Sequence, residues 1–343
     1  MITANFFLPH RYIEHIVFKV HSLCVLCTYV VIINLFFSPV FAQSPRKDIS
    51  LNSNWLTIAD EKSKTTYSGF EHLNYVTNKW KKVNVPHNWD QYEGYQRKLH
   101  GNKHGYAWYR KTFKTSELKN GRRFFLYFEG VGSYATVWLN GKQVGYHAGG
   151  RTTFTLDVTT FVKVNNQTNV LAVRADHPAN IQDLPWVDGG CSTERGFSEG
   201  SQPMGIFRPV HLIVTSDVRI EPFGVHVWND DQVSEKSAKL NLATTLKNYS
   251  SVTKHITLKS QLLDEAGKVV KLMEHKATVL PGKQTVLKQI TGELKNVTLW
   301  SLERPYLYTI KTSLQVNGVL ADEITTPYGI RWISWPSDGY RNG

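Results

Sequence analysis

The stretch Glu129–Val158, EGVGSYATVWLNGKQVGYHAGGRTTFTLDV, decides the fold. Ala135, Val137 and Leu139 alternate with Tyr134, Thr136 and Trp138, so one face of this run is apolar and small while the other is large and mixed. The run turns at Asn140-Gly141 and leaves as a second extended segment. Asn-Gly between two alternating runs marks a two-residue hairpin, because a type I′ turn needs φ > 0 at both central positions. The stretch therefore predicts a β-hairpin within a sandwich or barrel.

Working outward, Arg122–Phe128 (RRFFLYF), Thr153–Val158, Val170–Ala175 (VLAVRA) and Val210–Val214 all read as strands, with Gly, Asn and Asp between them. No window of about 12 residues carries the i, i+3, i+4 spacing of an amphipathic helix, so long helices are not expected. A jelly-roll sandwich of about eight or nine strands over residues 48–217 is the economical reading. Its exception is the segment from Asp176 to Gly205, about 30 residues rich in Gly, Ser, Pro and acids, a length at which structureless loops are usually functional. A second module over residues 218–327 begins with Leu240, Leu242, Thr244 and Leu246 in alternation, then Ile256, Leu258 and Leu262. The turn Asp264-Glu265-Ala266-Gly267 leads to Val269-Val270, and Tyr306–Val316 supplies a late strand. Its size and short strands fit an immunoglobulin-like sandwich, without the Cys–Trp–Cys framework of antibody domains. The predicted fold class is all-β: a jelly-roll β-sandwich followed by an immunoglobulin-like β-sandwich.

Residues 1–42 differ from the rest. Arg11 and Lys19 precede an apolar run from Leu23 to Phe37, and Val40-Phe41-Ala42 ends it in a small-residue cleavage pattern. This reads as a secretory signal peptide cut after Ala42. The rival reading is a membrane anchor, but the run is shorter than the roughly 20 residues that span a bilayer. Cys24 and Cys27 leave with the signal, so the mature chain keeps only Cys191 and forms no internal disulfide. An exported protein without disulfides must be held by its core, which suits a bacterial periplasm or cell surface. The formal charge is +12. Removing Arg11, Lys19 and Glu14 takes away a net +1 and leaves +11. The lysines are dispersed rather than clustered into the stripe that nucleic acid would require, so no nucleic-acid partner is expected. The excess is either a plain basic surface or an attraction to an anionic glycan.

Several motifs resemble those of glycoside hydrolase family 2, the family of β-galactosidases, β-glucuronidases and β-mannosidases. VWLNGKQVG with the following GGRTTF, then Trp80–Trp89 (WKKVNVPHNW), Gly105–Phe113 (GYAWYRKTF), Gly205–Val210 (GIFRPV) and Trp300–Tyr308 (WSLERPYLY) stand in the family's order. Together they cover about residues 50–335, and their constellation is specific where each alone is weak. The resemblance implies an N-terminal sugar-binding domain, an immunoglobulin-like domain, and then a TIM barrel of about 250 residues carrying the chemistry. Tyr328-Gly329-Ile330-Arg331 resembles the entry to that barrel, so residues 328–343 are expected to be its truncated start. A retaining glycosidase uses two carboxylates about 5–5.5 Å apart. The resemblance places both on the barrel as glutamates, so the chain alone is expected not to hydrolyse. It is read as the non-catalytic N-terminal portion of a β-galactosidase-like exo-glycosidase. The alternatives are a stand-alone carbohydrate-binding module complementing a separate barrel chain, and a fragment of a β-glucuronidase acting on acidic polysaccharide.

Three residues are candidates for contact with sugar. The resemblance places Asp176, directly after the Val-Arg-Ala strand, where some β-galactosidases hold the terminal sugar, and puts Asn102 where they place an asparagine. Both are short polar groups suited to hydroxyls. A turn-capping role for Asp176 is an equal reading, and for Asn102 a structural role leads. Trp186 is the aromatic platform candidate, against a core or hinge role. His87 reads as a hydrogen-bonded turn histidine. The histidines show no metal-ligand spacing and no glycine-rich phosphate cradle is present, so neither a metal nor any other cofactor is expected.

Overall fold

The computed structural model describes residues 46–60, 62–89, 104–117, 119, 121–178 and 203–332, and the backbone alone at 92–93 and 96–97. The N-terminal segment, Asn102, Trp186, Cys191 and residues 333–343 lie outside the described residues. Every element among the described residues is a strand, and every strand pairing is antiparallel. No helix among them is long and apolar enough to cross a membrane.

The Asn-Gly hairpin forms as its sequence dictates. Strands β8 (Tyr134–Leu139) and β9 (Lys142–Ala148) pair with Leu139 opposite Lys142, and Asn140 and Gly141 hold φ of 54° and 81°. Ala135, Val137 and Leu139 are fully buried, Val137 and Leu139 each contributing about 1.5–3 kcal/mol by leaving water. The hairpin edges a six-stranded sheet of order β3 (Lys81–Val83), β2 (Trp55–Asp60), β6 (Gly105–Phe113), β11 (Asn169–His177), β8, β9. Against its inner face packs a four-stranded sheet of order β1 (Lys47–Ser50), β12 (Val210–Ser216), β7 (Arg122–Phe128), β10 (Phe154–Asp157). Trp55, Tyr109, Phe124, Phe128, Val137 and Leu171 from both sheets share one core. A separate pair, β4 (Tyr92–Glu93) and β5 (Gln96–Arg97), stands apart.

The two facing sheets hold ten strands, more than the sequence suggests. Edge strands β1 (KDIS) and β3 (KKV) are short and charged, so they carry no alternation to read. A second feature absent from the sequence reading is the turn-rich segment from 62 to 80. It lays Phe70, Tyr67, Tyr75 and Trp80 over Trp108 and Trp138 on the outer face of the six-stranded sheet. Buried Arg110 ties it down by donating to the backbone carbonyls of Phe70 and Leu73, at 2.8 and 2.9 Å.

From Val218 onward two further sheets face one another. One has order β13 (Val218–Asn229), β14 (Ser237–Asn248), β17 (Gln284–Lys295). The other has order β16 (Val269–Val279), β15 (Lys254–Leu263), β18 (Tyr308–Val316), β19 (Val319–Tyr328). Leu240, Leu242 and Leu246 of β14 and Ile256, Leu258 and Leu262 of β15 are buried between them, following the alternation in their sequences.

Only Asp217 separates β12 from β13. Across this junction Arg46 makes a two-pronged ion pair with the fully buried carboxylate of Asp322, at 2.8 and 2.7 Å. Asp322 also accepts the backbone N–H of Ile220 at 2.7 Å. Arg219 lies flat over Phe125, 3.4 Å from the ring centre, and is paired with Glu221. A guanidinium is weakly hydrated and planar, so it tolerates this stacked and buried position where an ammonium would not.

Candidate functional site

Strand β11 passes through the middle of the six-stranded sheet, and its last residues set the geometry of one end of the sandwich. Side chains alternate across a strand. Val173, Ala175 and His177 therefore enter the core while Arg174 and Asp176 stand on the outer face. Being two residues apart on one face, Arg174 and Asp176 meet directly. Arg174 Nε donates to Asp176 Oδ1 at 2.7 Å and its Nη2 to Oδ2 at 2.9 Å. The guanidinium is 5.9 Å from the ring centre of Trp138.

Register completes the surroundings of Asp176. It stands opposite Tyr106 on β6 and Tyr134 on β8. Tyr134 stacks with the exposed ring of Tyr146 on β9, centroids 6.3 Å apart. The site is thus a carboxylate held by a guanidinium and flanked by tyrosines, at the end of the sheet where the chain leaves β11. Burial raises the Asp176 pKa above the usual aspartate value in spite of the Arg174 hydrogen bonds, which lower it. A carboxylate accepts up to about four hydrogen bonds, so two guanidinium contacts leave capacity for hydroxyl donors. Among the described residues the side chain is partnered by Arg174. Its backbone carbonyl accepts the Ser133 N–H at 2.9 Å.

On the inner side of the same end, His177 Nδ1 is 2.8 Å from Ser133 Oγ. The His177 ring stacks on His104 with centroids 5.1 Å apart. Burial, then the neighbouring His104, push the His177 pKa down to about 3, so the ring is neutral. His177 Nε2 and His104 Nδ1 are buried without a hydrogen-bond partner among the described residues. No group of three or more His, Cys, Asp or Glu there is arranged to hold a metal.

The end is closed by close backbone approach. Gly132 pairs with Gly205, and a Cβ at Gly205 would lie 2.3 Å from Tyr109 Oη. Tyr109 Oη is in turn 2.8 Å from Nδ1 of His87, and burial holds the His87 pKa below its usual value. His87 and Trp89 bond through their backbone N–H groups to Ile206 and Met204 at 2.7 and 2.9 Å. This network fixes the strand entering β12 against residues 87–89, a structural role for His87.

Of the three residues read from the sequence as sugar contacts, Asp176 stands in this site, while Asn102 and Trp186 fall outside the described residues. Arg174, Tyr106, Tyr134 and Tyr146 were missed. Arg174 carried a signal, since a strand places residues i and i+2 on one face. The tyrosines come together through register, which local pattern does not fix.

The fold defines an all-antiparallel double sandwich, and comparison with known proteins narrows it. Residues 41–216 match the sugar binding domain of glycosyl hydrolases family 2, and residues 218–331 match a second glycosyl hydrolases family 2 model. The chain belongs to glycosyl hydrolase family 2. A β-galactosidase of Bacteroides ovatus, BoGH2A, is 32% identical over 298 residues, covering 85% of this chain and 32% of that protein. A β-glucuronidase of Bacteroides fragilis is 29% identical over 304 residues, covering 87% of this chain and 39% of that protein. The solved structure of a β-glucuronidase from glycoside hydrolase family 2 superimposes with a TM-score of 0.70 at 25% identity, covering 85% of this chain and 31% of that one. The chain therefore spans about a third of the length of these relatives.

Proposed function

We propose that this chain is the sugar-contacting N-terminal portion of an exported family 2 exo-glycosidase of β-galactosidase type. In this reading Asp176 accepts hydroxyls of a terminal sugar, with Asn102 and Trp186 as further contacts. The observation that carries it is the Arg174–Asp176 pair, fixed between Tyr106 and Tyr134 at the end of the sandwich from which the loop departs. A carboxylate locked by a guanidinium presents acceptors of fixed geometry, which is what hydroxyl recognition needs. The two catalytic carboxylates belong, by family resemblance, to the barrel, so the chain binds without cleaving.

The test is retention of the purified chain on immobilised galactan. Asp176→Asn weakens retention at least about tenfold, the scale of a charge-assisted hydrogen bond, and wild type leaves nitrophenyl glycosides intact. Equal retention of both proteins, or hydrolysis by the chain, would sink this reading. Export to the periplasm or cell surface rests on the apolar run ending at Ala42. Sequencing the mature N-terminus should start at Gln43, and a retained Met1 excludes cleavage after Ala42.

A second reading is supported by the charge of +12 and by the β-glucuronidases among the relatives. In it the glycan is acidic, and retention on a glucuronate polymer exceeds that on galactan and falls with salt.

A further inference from the structure

The strand pairing of β13 with β14 is broken by a bulge. Ile220 faces Leu246, but Val225 faces Thr244, so Glu221 to Gly224 loop out of the ladder. Pro222 cannot donate to a ladder. Gly224 admits no side chain, since a Cβ there would lie 2.6 Å from the Glu221 carbonyl oxygen and 2.9 Å from that of Thr245. Between them Phe223 is driven to φ 54° with its ring 77% exposed. A large apolar residue in the left-handed region is an outlier, because its Cβ crowds the backbone there. Such strain persists where surrounding structure imposes it, and it clusters at ligand clamps.

Phe223 forms one wall of a cavity of about 200 Å³. Its lining also includes Tyr127 of β7 and Thr155 of β10, which stand opposite each other on neighbouring strands of the four-stranded sheet. Asp48 of β1 lies at the rim, its Oδ1 2.7 Å from His211 Nδ1. Two guanidiniums also line it, but both are already neutralised, Arg46 by Asp322 and Arg219 by Glu221.

We propose that this cleft, lined by Phe223 and Tyr127, is a second carbohydrate subsite that takes one neutral pyranose ring. Its volume corresponds to about seven liquid waters, room for a single ring and too little for a peptide segment. Two aromatic side chains in the lining suit the apolar faces of a pyranose, while the Asp48 carboxylate and the Thr155 hydroxyl suit its hydroxyls. With both arginines already paired to carboxylates and the Asp48 carboxylate in its lining, the cleft disfavours a uronate, a sulfate or a phosphate. It lies on the four-stranded sheet, whereas Asp176 lies on the outer face of the opposite sheet of the sandwich. The choice of a sugar as ligand rests on the function proposed above; the existence of a separate site does not.

The test follows backbone amide signals of the full chain during titration with methyl β-galactoside, methyl β-glucoside and methyl β-glucuronide. The expected result is saturable shifts at Asp48, Tyr127, Thr155 and Phe223 with one of the two neutral glycosides. Phe223→Asn and, separately, Thr155→Val weaken that saturation at least tenfold, and Asp176→Asn leaves it unchanged. Phe223→Asn keeps or raises the melting temperature, which separates a binding role from a structural one. The proposal is overturned if those amides do not move with a neutral glycoside, if only the glucuronide moves them, or if Phe223→Asn saturates like wild type. It is equally overturned if Phe223→Asn lowers the melting temperature, or if wild type dimerises through Phe223 in sedimentation. Shifts at Asp176 without shifts in the cleft leave the first site standing and remove the second.

Discussion

Asn140 and Phe223 share the same backbone geometry, φ of 54°, and differ in everything around it. At Asn140 the side chain offsets the conformation it adopts. Its Nδ2 donates to the Phe161 carbonyl and to Asn169 Oδ1, and its Oδ1 accepts from the Val170 N–H, all at 2.9 Å. At Phe223 the side chain makes no hydrogen bond and stands 77% exposed. Left-handed backbone is cheap where a short amide can bond locally and costly for an aromatic. The first is a device of folding, while the second is imposed by the bulge between Pro222 and Gly224 and leaves an aromatic ring on the surface.

The largest way to break the comparison is Asn140→Ala, which removes three hydrogen bonds and leaves a Cβ residue at positive φ. It should cost about 3 kcal/mol in urea unfolding. A loss under about 1 kcal/mol would mean the hairpin is held by its flanking strands and not by Asn140. The contrast extends to groups that the described residues leave unsatisfied, among them His177 Nε2. Its folded pKa of about 3 lies below the ordinary value of 6.5. The unfolded chain therefore takes up the proton first. Stability from this ring is complete above about pH 6.5 and is lost as pH falls toward 3, at about 1.4 kcal/mol per unit within that window. His177→Gln flattens this dependence in thermal unfolding between pH 6 and pH 4 (about the middle of the window), and an unchanged slope refutes the assignment. The smallest effect is expected at Phe223→Asn, a gain of up to about 1 kcal/mol from relieving the backbone.

Much of this architecture was legible in the sequence wherever one face of a strand is buried and the other is not. The alternation of β8 and β14 and the Asn140-Gly141 turn declare themselves, because burial and turn chemistry act on neighbouring residues. What was hidden depends on distant pairing or on the absence of period. The segment from 62 to 80 has no alternation, since its aromatics dock one by one onto the sheet. The bulge lay within a strand whose flanks alternate, and only Pro222 and Gly224 punctuate it. At the candidate site Asp176 was singled out by the family resemblance, and the structure pairs it with Arg174. Its tyrosine neighbours were not, because Tyr106 and Tyr134 reach it only through registers spanning 70 and 42 residues of sequence.

The measurement that tests the central claim most directly is the amide spectrum of the chain titrated with methyl β-galactoside, watched at Ser133, Asp176 and His177. The expected result is saturable shifts at all three, abolished in Asp176→Asn while the spectrum elsewhere stays that of the folded protein. Saturation without movement at these residues, or shifts that survive the substitution, would contradict it.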